Sequence, residues 1–260
     1  MSREDPNVID SVEKAFRLLQ VFSADTPRLT VAEAARRTDL TRATARRLLL
    51  TFERLGFART DGRSFELTSR VLRLGYGYLS ALPLWESALP HMRELADSLV
   101  EACSLAALDG HDIVYLARVP SVRSMSVTLN VGSRLPAHAT SMGRVLLAGL
   151  EPEELEAYLR DAELTGLTEH TITEAGRLRQ EIDDTRERGW ALVDGEREIG
   201  VRSVAAPVRD VRGEVVAAIN VSANAARVSV PILRDRFVPA LLRTADEISR
   251  DLGHRAPRPG

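Results

Sequence analysis

The chain has 260 residues, 44% hydrophobic and 28% charged, with 35 basic side chains against 37 acidic ones. That hydrophobic share with a formal charge of −2 excludes a disordered polyelectrolyte, and no apolar run reaches the roughly 18 to 20 residues that cross a bilayer. Met1-Ser2-Arg3-Glu4-Asp5-Pro6 lacks the apolar core of a signal peptide, and the single cysteine, Cys103, makes neither a disulfide framework nor a cysteine-based zinc site, so the expectation is a cytoplasmic protein.

Length suggests one or two domains. Residues 1–75 carry 14 basic and 10 acidic side chains, a surplus of +4, and the remainder carries 21 against 27, or −6. The asymmetry has the sign of a basic module on an acidic body. Lys14 is the only lysine, and the arginine bias runs through both parts. Position, not arginine richness, therefore has to carry any reading of phosphate contact.

Asp10 stands where it can cap a first helix over 11–22, in which Val12, Ala15, Phe16, Leu19 and Phe22 recur at helical spacing. Pro27 lies in the break. Thr30 caps a short second helix over 31–37, with Glu33 as the reciprocal half of a capping box. Asp39-Leu40 turns the chain, Thr41 caps a third helix to about Leu55, and Gly56 ends it. Two short helices so joined are a helix-turn-helix, whose second member enters the major groove of double-stranded DNA. Ala45, Leu48, Leu49, Phe52 and Leu55 form its buried seam, leaving Thr41, Arg42, Ala43, Arg46 and Arg47 to face bases or phosphates. Arg36 and Arg37 read equally well as a solvated face. Residues 57–60 and 63–67 around Asp61-Gly62 make a β-hairpin with a type I′ turn, Arg59 and Arg63 flanking its tip. The module is then a winged helix-turn-helix, although such shapes also occur in proteins that never touch DNA.

A linker helix over 68–82 opens at Thr68 or Ser69, carries Val71, Leu72, Leu74, Tyr78 and Leu79, and is closed by Pro83. Gly75 and Gly77 weaken it, as a hinge or a close packing would need. Beyond Leu84, 85–102 is amphipathic, and 103–108 and 113–119 flank the turn Asp109-Gly110-His111-Asp112. Residues 124–131 alternate Met125, Val127, Leu129 and Val131 inward, as a strand does. A buried helix over 141–150, amphipathic helices over 154–161 and 174–188, strands over 190–194, 204–209 and 214–222, and a closing helix over 230–252 complete an α+β domain spanning 84–254. Residues 255–260 are expected to be a disordered tail.

The sequence holds no G-x-S-x-G, no H-E-x-x-H and no Walker loop, and its five histidines are scattered, so neither an enzyme, a metal site nor a cofactor is expected. A Cys103–His138 dyad is conceivable, but a buried structural cysteine fits better. Residues 132–136 lead through His138 and Thr140 into a helix whose first turn offers the N–H groups of Ser141, Met142 and Gly143 to a carboxylate. Ser203, Asn220 and Ser222 interrupt apolar strands, the last two on one face. They either converge on a ligand or bond backbone within the sheet. Arg134 is the first choice to fork onto a carboxylate, ahead of Arg118 and of Arg144, for which a surface role is equally plausible.

Two groups of residues carry a family resemblance. One comprises Val8-Ile9-Asp10-Ser11-Val12-Glu13-Lys14-Ala15-Phe16 and Leu40-Thr41-Arg42-Ala43-Thr44-Ala45-Arg46-Arg47-Leu48-Leu49; the other comprises residues 135–148, with Ala139-Thr140-Ser141-Met142-Gly143-Arg144, and Gly200-Val201-Arg202-Ser203-Val204-Ala205-Ala206-Pro207-Val208. With these motifs in this order, the chain resembles the IclR family of bacterial transcriptional regulators over nearly its full length, and within it the subgroup controlling protocatechuate and para-hydroxybenzoate breakdown in the β-ketoadipate pathway. The resemblance implies a winged-helix DNA-binding domain over 1–67, a linker helix over 68–83 that contributes to dimerisation, and a GAF- and profilin-like effector domain. It implies a homodimer or dimer of dimers on a near-palindromic operator, no membrane partner, and a small organic acid as effector. Ser203, Asn220 and Ser222 occupy positions that line the family's effector pocket. Glyoxylate, pyruvate or a sugar acid is the alternative effector class, and an enzyme with a helical interaction domain the more distant one.

Overall fold

The computed structural model describes residues 7–23, 25–80, 83–121 and 129–255. The chain divides into two units, Met1–Ala81 and Leu82–Gly260. In the first, α1 (Asp10–Gln20), β1 (Arg28–Leu29), α2 (Val31–Thr38), α3 (Arg42–Arg54), β2 (Ala58–Thr60) and β3 (Phe65–Leu67) surround a core that includes Leu18, Leu29, Ala34, Ala45, Leu49, Phe52 and Phe65. Local chemistry sets the boundaries. Thr30 and Glu33 form the reciprocal capping box, and the Thr41 hydroxyl accepts from the Thr44 N–H. Asp39 and Gly56 take the left-handed conformation, φ +55° and +78°, at the ends of α2 and α3.

Three local expectations are corrected. Asp10 does not cap α1; it lies inside the first turn and its carboxylate pairs with Lys14 at 2.6 Å. The α1 stripe does not pack whole: Leu18 is the buried residue, while Val12 and Phe16 stand 47% and 54% exposed. One small core covers only part of a helix face, so periodicity overstates burial here; Leu55 is likewise exposed. The hairpin loop has four residues, because Thr60 pairs with Phe65. A type I′ turn needs positive φ at both central residues, and of Asp61 and Gly62 only Gly62 has it.

Thr68 opens the next segment, a 3₁₀ turn over Ser69–Val71 running into α4 (Leu72–Ser80). Pro83 does not close that helix but begins α5 (Pro83–Leu99), at a position whose missing N–H has no helical partner to lose. Residues 81 and 82 between them lie outside the described residues, as do 256–260 of the expected tail.

The second unit is built on β4 (Ala102–Asp109), β5 (Asp112–Val119), β6 (Arg134–Pro136), β7 (Ala191–Asp194), β8 (Val201–Arg209) and β9 (Val215–Asn224), paired antiparallel in the order β6-β5-β4-β9-β8-β7. Its helices are α5, α6 (Ser141–Ala148), α7 (Pro152–Asp161), α8 (Ala175–Arg188), α9 (Val230–Ile232) and α10 (Val238–Asp251), with a π turn over Leu233–Phe237. The α+β expectation holds. One sheet face sends Cys103, Leu105, Val204, Ile219 and Val221 against Met92 of α5 and Leu241 of α10. The other sends Ala106, Tyr115, Ala205 and Ala218 against Val145 of α6 and Leu178 of α8. Of the strand expected over 124–131, residues 124–128 lie outside the described residues and 129–131 have no strand structure. The edge partner of β5 is β6, whose three residues are too few to show an alternating pattern.

The α6 N-terminus lies against the 3₁₀ turn Ala137–Ala139, and a Cβ at Gly143 would collide with the Ala137 carbonyl. Backbone cannot give way as a side-chain tip can. Gly143→Ala should therefore cost about 3 kcal/mol in urea unfolding; a loss below about 1 kcal/mol would mean the turn shifts freely.

Candidate nucleic-acid interface and ligand cavity

α3 turns Ala45, Leu49 and Phe52 inward, so Thr41, Arg42, Ala43, Arg46 and Arg47 share its exposed side. Arg42, Arg46 and Arg47 have no ion-pair partner among the described residues, which leaves three unneutralised guanidinium groups near one helix N-terminus. The helix dipole adds to their attraction for an anion.

The hairpin beside them is held by its acids. The Asp61 carboxylate accepts from the N–H groups of Arg63 (2.9 Å) and Ser64 (2.7 Å) and from the Ser64 hydroxyl (3.0 Å). These bonds, to Ser64 and Arg63 backbone first, lower its pKa from 3.8 to about 2. Arg63 stands exposed at the tip without an acidic partner among the described residues. Arg59 is different: it pairs with Glu66, which also takes Arg28 at 2.8 Å. Its charge is shared before any ligand arrives. Arg28, on the neighbouring strand β1, did not stand out in the sequence because its pairing with Glu66 spans 38 residues.

In the second unit, the sheet face that receives α6 also floors a cavity of about 140 Å³. Across the sheet, Arg118 lies opposite Ser104 and Ser104 opposite Asn220, while Ala102, Ser222 and Ser203 form the adjoining row. Of the expected ligand residues, Thr140, Met142, Ser203, Asn220 and Ser222 line this cavity. Ser141 stands one bond behind, its hydroxyl 2.9 Å from that of Ser203. Arg134 and His138 are not lining residues. Arg134 lies on edge strand β6 and reaches outward to clamp the β4–β5 turn, Nε to Asp112 at 3.1 Å and Nη1 to Asp109. His138 is buried with its ring donating to the Thr165 carbonyl at 3.0 Å, and burial lowers its pKa. The α6 terminus is partly spent as well, since the Gly143 N–H donates to the Thr140 hydroxyl at 3.0 Å.

Arg144 occupies neither place considered for it. It is 1% exposed, outside the cavity, with Nε donating to the His138 carbonyl (2.8 Å) and Nη2 to Glu196 (2.6 Å). Burial, opposed by the pairing, pulls the Arg144 pKa down and pushes that of Glu196 up.

The cavity's charge comes instead from Arg118, Arg197 and Arg227, against the single carboxylate of Glu101, 3.2 Å from Arg227. Arg118 also donates to Ser104 at 3.4 Å. Arg197 pairs in turn with Glu198, so Arg118 is the lining arginine without an acidic partner among the described residues, and it favours an anionic occupant. Asn220 is 4% exposed; its Nδ2 donates to Ser222 at 3.2 Å, and its Oδ1 has no partner among the described residues. Arg118 was weighed from sequence, but Arg197 and Arg227 sit in loops after β7 and β9, where no periodicity points. Cys103 packs on the opposite sheet face with its thiol pKa raised by burial, so it forms no dyad with His138.

Comparison with known proteins bears on both sites. Residues 11–62 match the IclR helix-turn-helix domain, and residues 76–250 match the family described as bacterial transcriptional regulator IclR C-terminal. The Pca regulon regulatory protein of Pseudomonas putida is 43% identical over 96% of this chain and 85% of its own length. A solved transcriptional regulator from Rhodococcus sp. RHA1 is 47% identical, with a TM-score of 0.83 over 94% of this chain and 98% of that one. An IclR homolog from Microbacterium hydrocarbonoxydans, solved in complex with 4-hydroxybenzoate, is 28% identical, with a TM-score of 0.82 over 93% and 98%. Among the described residues no helix is long and apolar enough to cross a membrane, and no group of three or more His, Cys, Asp or Glu side chains is placed to hold a metal.

The hairpin makes one measurable statement. With the Asp61 pKa depressed to about 2, the carboxylate's hold on the loop is complete above the unfolded value of 3.8 and is lost as pH falls through 2. An NMR titration of the Asp61 carboxyl carbon should show its midpoint near 2; one near 3.8 would mean the loop is held by something else.

Proposed function

The chain belongs to the IclR family of bacterial transcriptional regulators, DNA-binding proteins rather than enzymes, and within that family we propose that it is a cytoplasmic dimer or dimer of dimers responding to a hydroxylated aromatic acid such as protocatechuate or para-hydroxybenzoate. The observation that carries the ligand class is Asn220, whose buried Oδ1 lacks a donor among the described residues, in a cavity also lined by Arg118. An unmet buried acceptor costs about 1 to 3 kcal/mol, and a ligand hydroxyl meets it. A hydroxyl both donates and accepts, so it satisfies this amide in either orientation. Arg118 would take the carboxylate, with Arg197 joining once released from Glu198. The likenesses to a protein named for the Pca regulon and to one solved with 4-hydroxybenzoate support the same reading.

Thr41, Arg42, Ala43, Arg46 and Arg47 would read the major groove of double-stranded operator DNA, with Arg63 on the flanking backbone and Arg59 joining once released from Glu66. Exposed Ile9, Val12 and Phe16 on and before α1, with Leu72 and Leu74 of α4, support pairing of two chains. Two modules would then meet half-sites of a near-palindromic operator about 34 Å apart or a multiple of it. The division into a DNA-binding part over 1–67, a linker over 68–83 and a GAF- and profilin-like effector domain over 84–254 belongs to the same proposal, supported by the antiparallel sheet with helices on both faces.

Arg42→Ala or Arg47→Ala should weaken operator binding by about 1 to 3 kcal/mol in a titration at fixed salt; unchanged affinity for both would remove α3 as the reading helix. In a thermal-shift panel, para-hydroxybenzoate at about 100 times its Kd should add about 2.7 kcal/mol, benzoate less, and Asn220→Leu should erase the difference between them. A panel in which only glyoxylate, pyruvate or sugar acids stabilise the protein would overturn the aromatic assignment.

A further inference from the structure

Among the described residues Arg144 is the most completely enclosed charge, and it touches nothing in the cavity. Stability alone is a poor reason to keep it. Two ions taken out of water cost about what their attraction returns, and apolar side chains of similar volume often do as well or better. Here Arg144 Nη1 also has no hydrogen-bond partner among the described residues, which adds to the cost.

What the pair does hold is chain. Nε fastens the His138 carbonyl and Nη2 the Glu196 carboxylate. Ala139 and Thr140 follow His138, Arg197 follows Glu196, and all three line the cavity. Other bonds hold the loop from a different side: Thr168 donates to the Gly195 carbonyl at 2.7 Å and Thr171 to that of Glu196 at 2.6 Å. Those anchor it to the 168–171 segment, and Arg144 anchors it to α6. Gly195 and Gly200, at φ +72° and +84°, let the loop turn sharply at both ends.

We propose that Arg144 and Glu196 are positioning residues of the cavity: their pair sets where Arg197 stands relative to the α6 N-terminus, and so sets affinity for an anionic ligand without contacting it. The affinity consequence rests on the cavity being the ligand site; the geometric claim does not, and the two are read separately.

The test uses the full-length chain carrying Arg144→Met with Glu196→Leu, which keeps side-chain volume without the charges. Amide hydrogen exchange over 195–200, without ligand, should rise about tenfold, while para-hydroxybenzoate affinity falls about tenfold and the far-ultraviolet circular dichroism is unchanged. Arg144→Lys, which keeps the attraction to Glu196, should recover most of the affinity. Exchange over 195–200 equal to that of the unmodified chain overturns the proposal. Glu196→Gln gives the same reading should the double variant not fold, because it keeps shape and removes only the charge. If the unmodified chain binds no para-hydroxybenzoate, the aromatic assignment fails and the exchange comparison still decides this proposal.

Discussion

An antiparallel strand hands alternate side chains to two different environments, and both the core and the cavity of the second unit depend on β9 doing so. Ile219 and Val221 go to the face packed by α5 and α10, while Asn220 and Ser222 go to the face that floors the cavity. A slip of one residue in register would exchange these sets, burying an amide and a hydroxyl among leucines and exposing the core residues to the cavity. The strands on either side, β4 and β8, fix the register by presenting Cys103 and Val204 to the same core and Ser104 and Ser203 to the other face. The lining of the cavity and the stability of the fold are thus written into the same ten residues.

Charge is arranged on a finer scale than the net totals. The basic surplus of residues 1–75 is concentrated on the exposed side of α3 and at Arg63, while Arg28 and Arg59 are shared with Glu66. The acidic remainder nonetheless encloses three arginines around a cavity. A net charge of −6 over that region says nothing of the field inside the cavity.

How legible all this was depended on range. Thr30 with Glu33, Thr41 and Gly56 act within a few residues, and the helix boundaries they set could be read directly. Asn220 and Ser222 were readable because a period of two survives without tertiary context, although nothing local distinguished ligand contact from sheet bonding. Arg134 misled because its two acidic partners lie across the β4–β5 turn, 22 and 25 residues away. Arg144 misled because its partner Glu196 is 52 residues distant. Arg197 and Arg227 had no pattern to find. The Val12–Phe16 stripe was real, but amphipathicity says only that a face is apolar, not which surface covers it.

Cys103 has a practical consequence. The only thiol in the chain is wholly enclosed, on a strand at the centre of the sheet, with burial holding it protonated. It is poorly placed to react with maleimides or methanethiosulfonates while the fold is intact. A cysteine introduced on the exposed side of α3 would therefore carry a spin or fluorescent label alone, with no need to remove the native one. If two chains pair as proposed, the separation of their α3 helices, with and without an added acid, could be followed as a distance in otherwise unaltered protein.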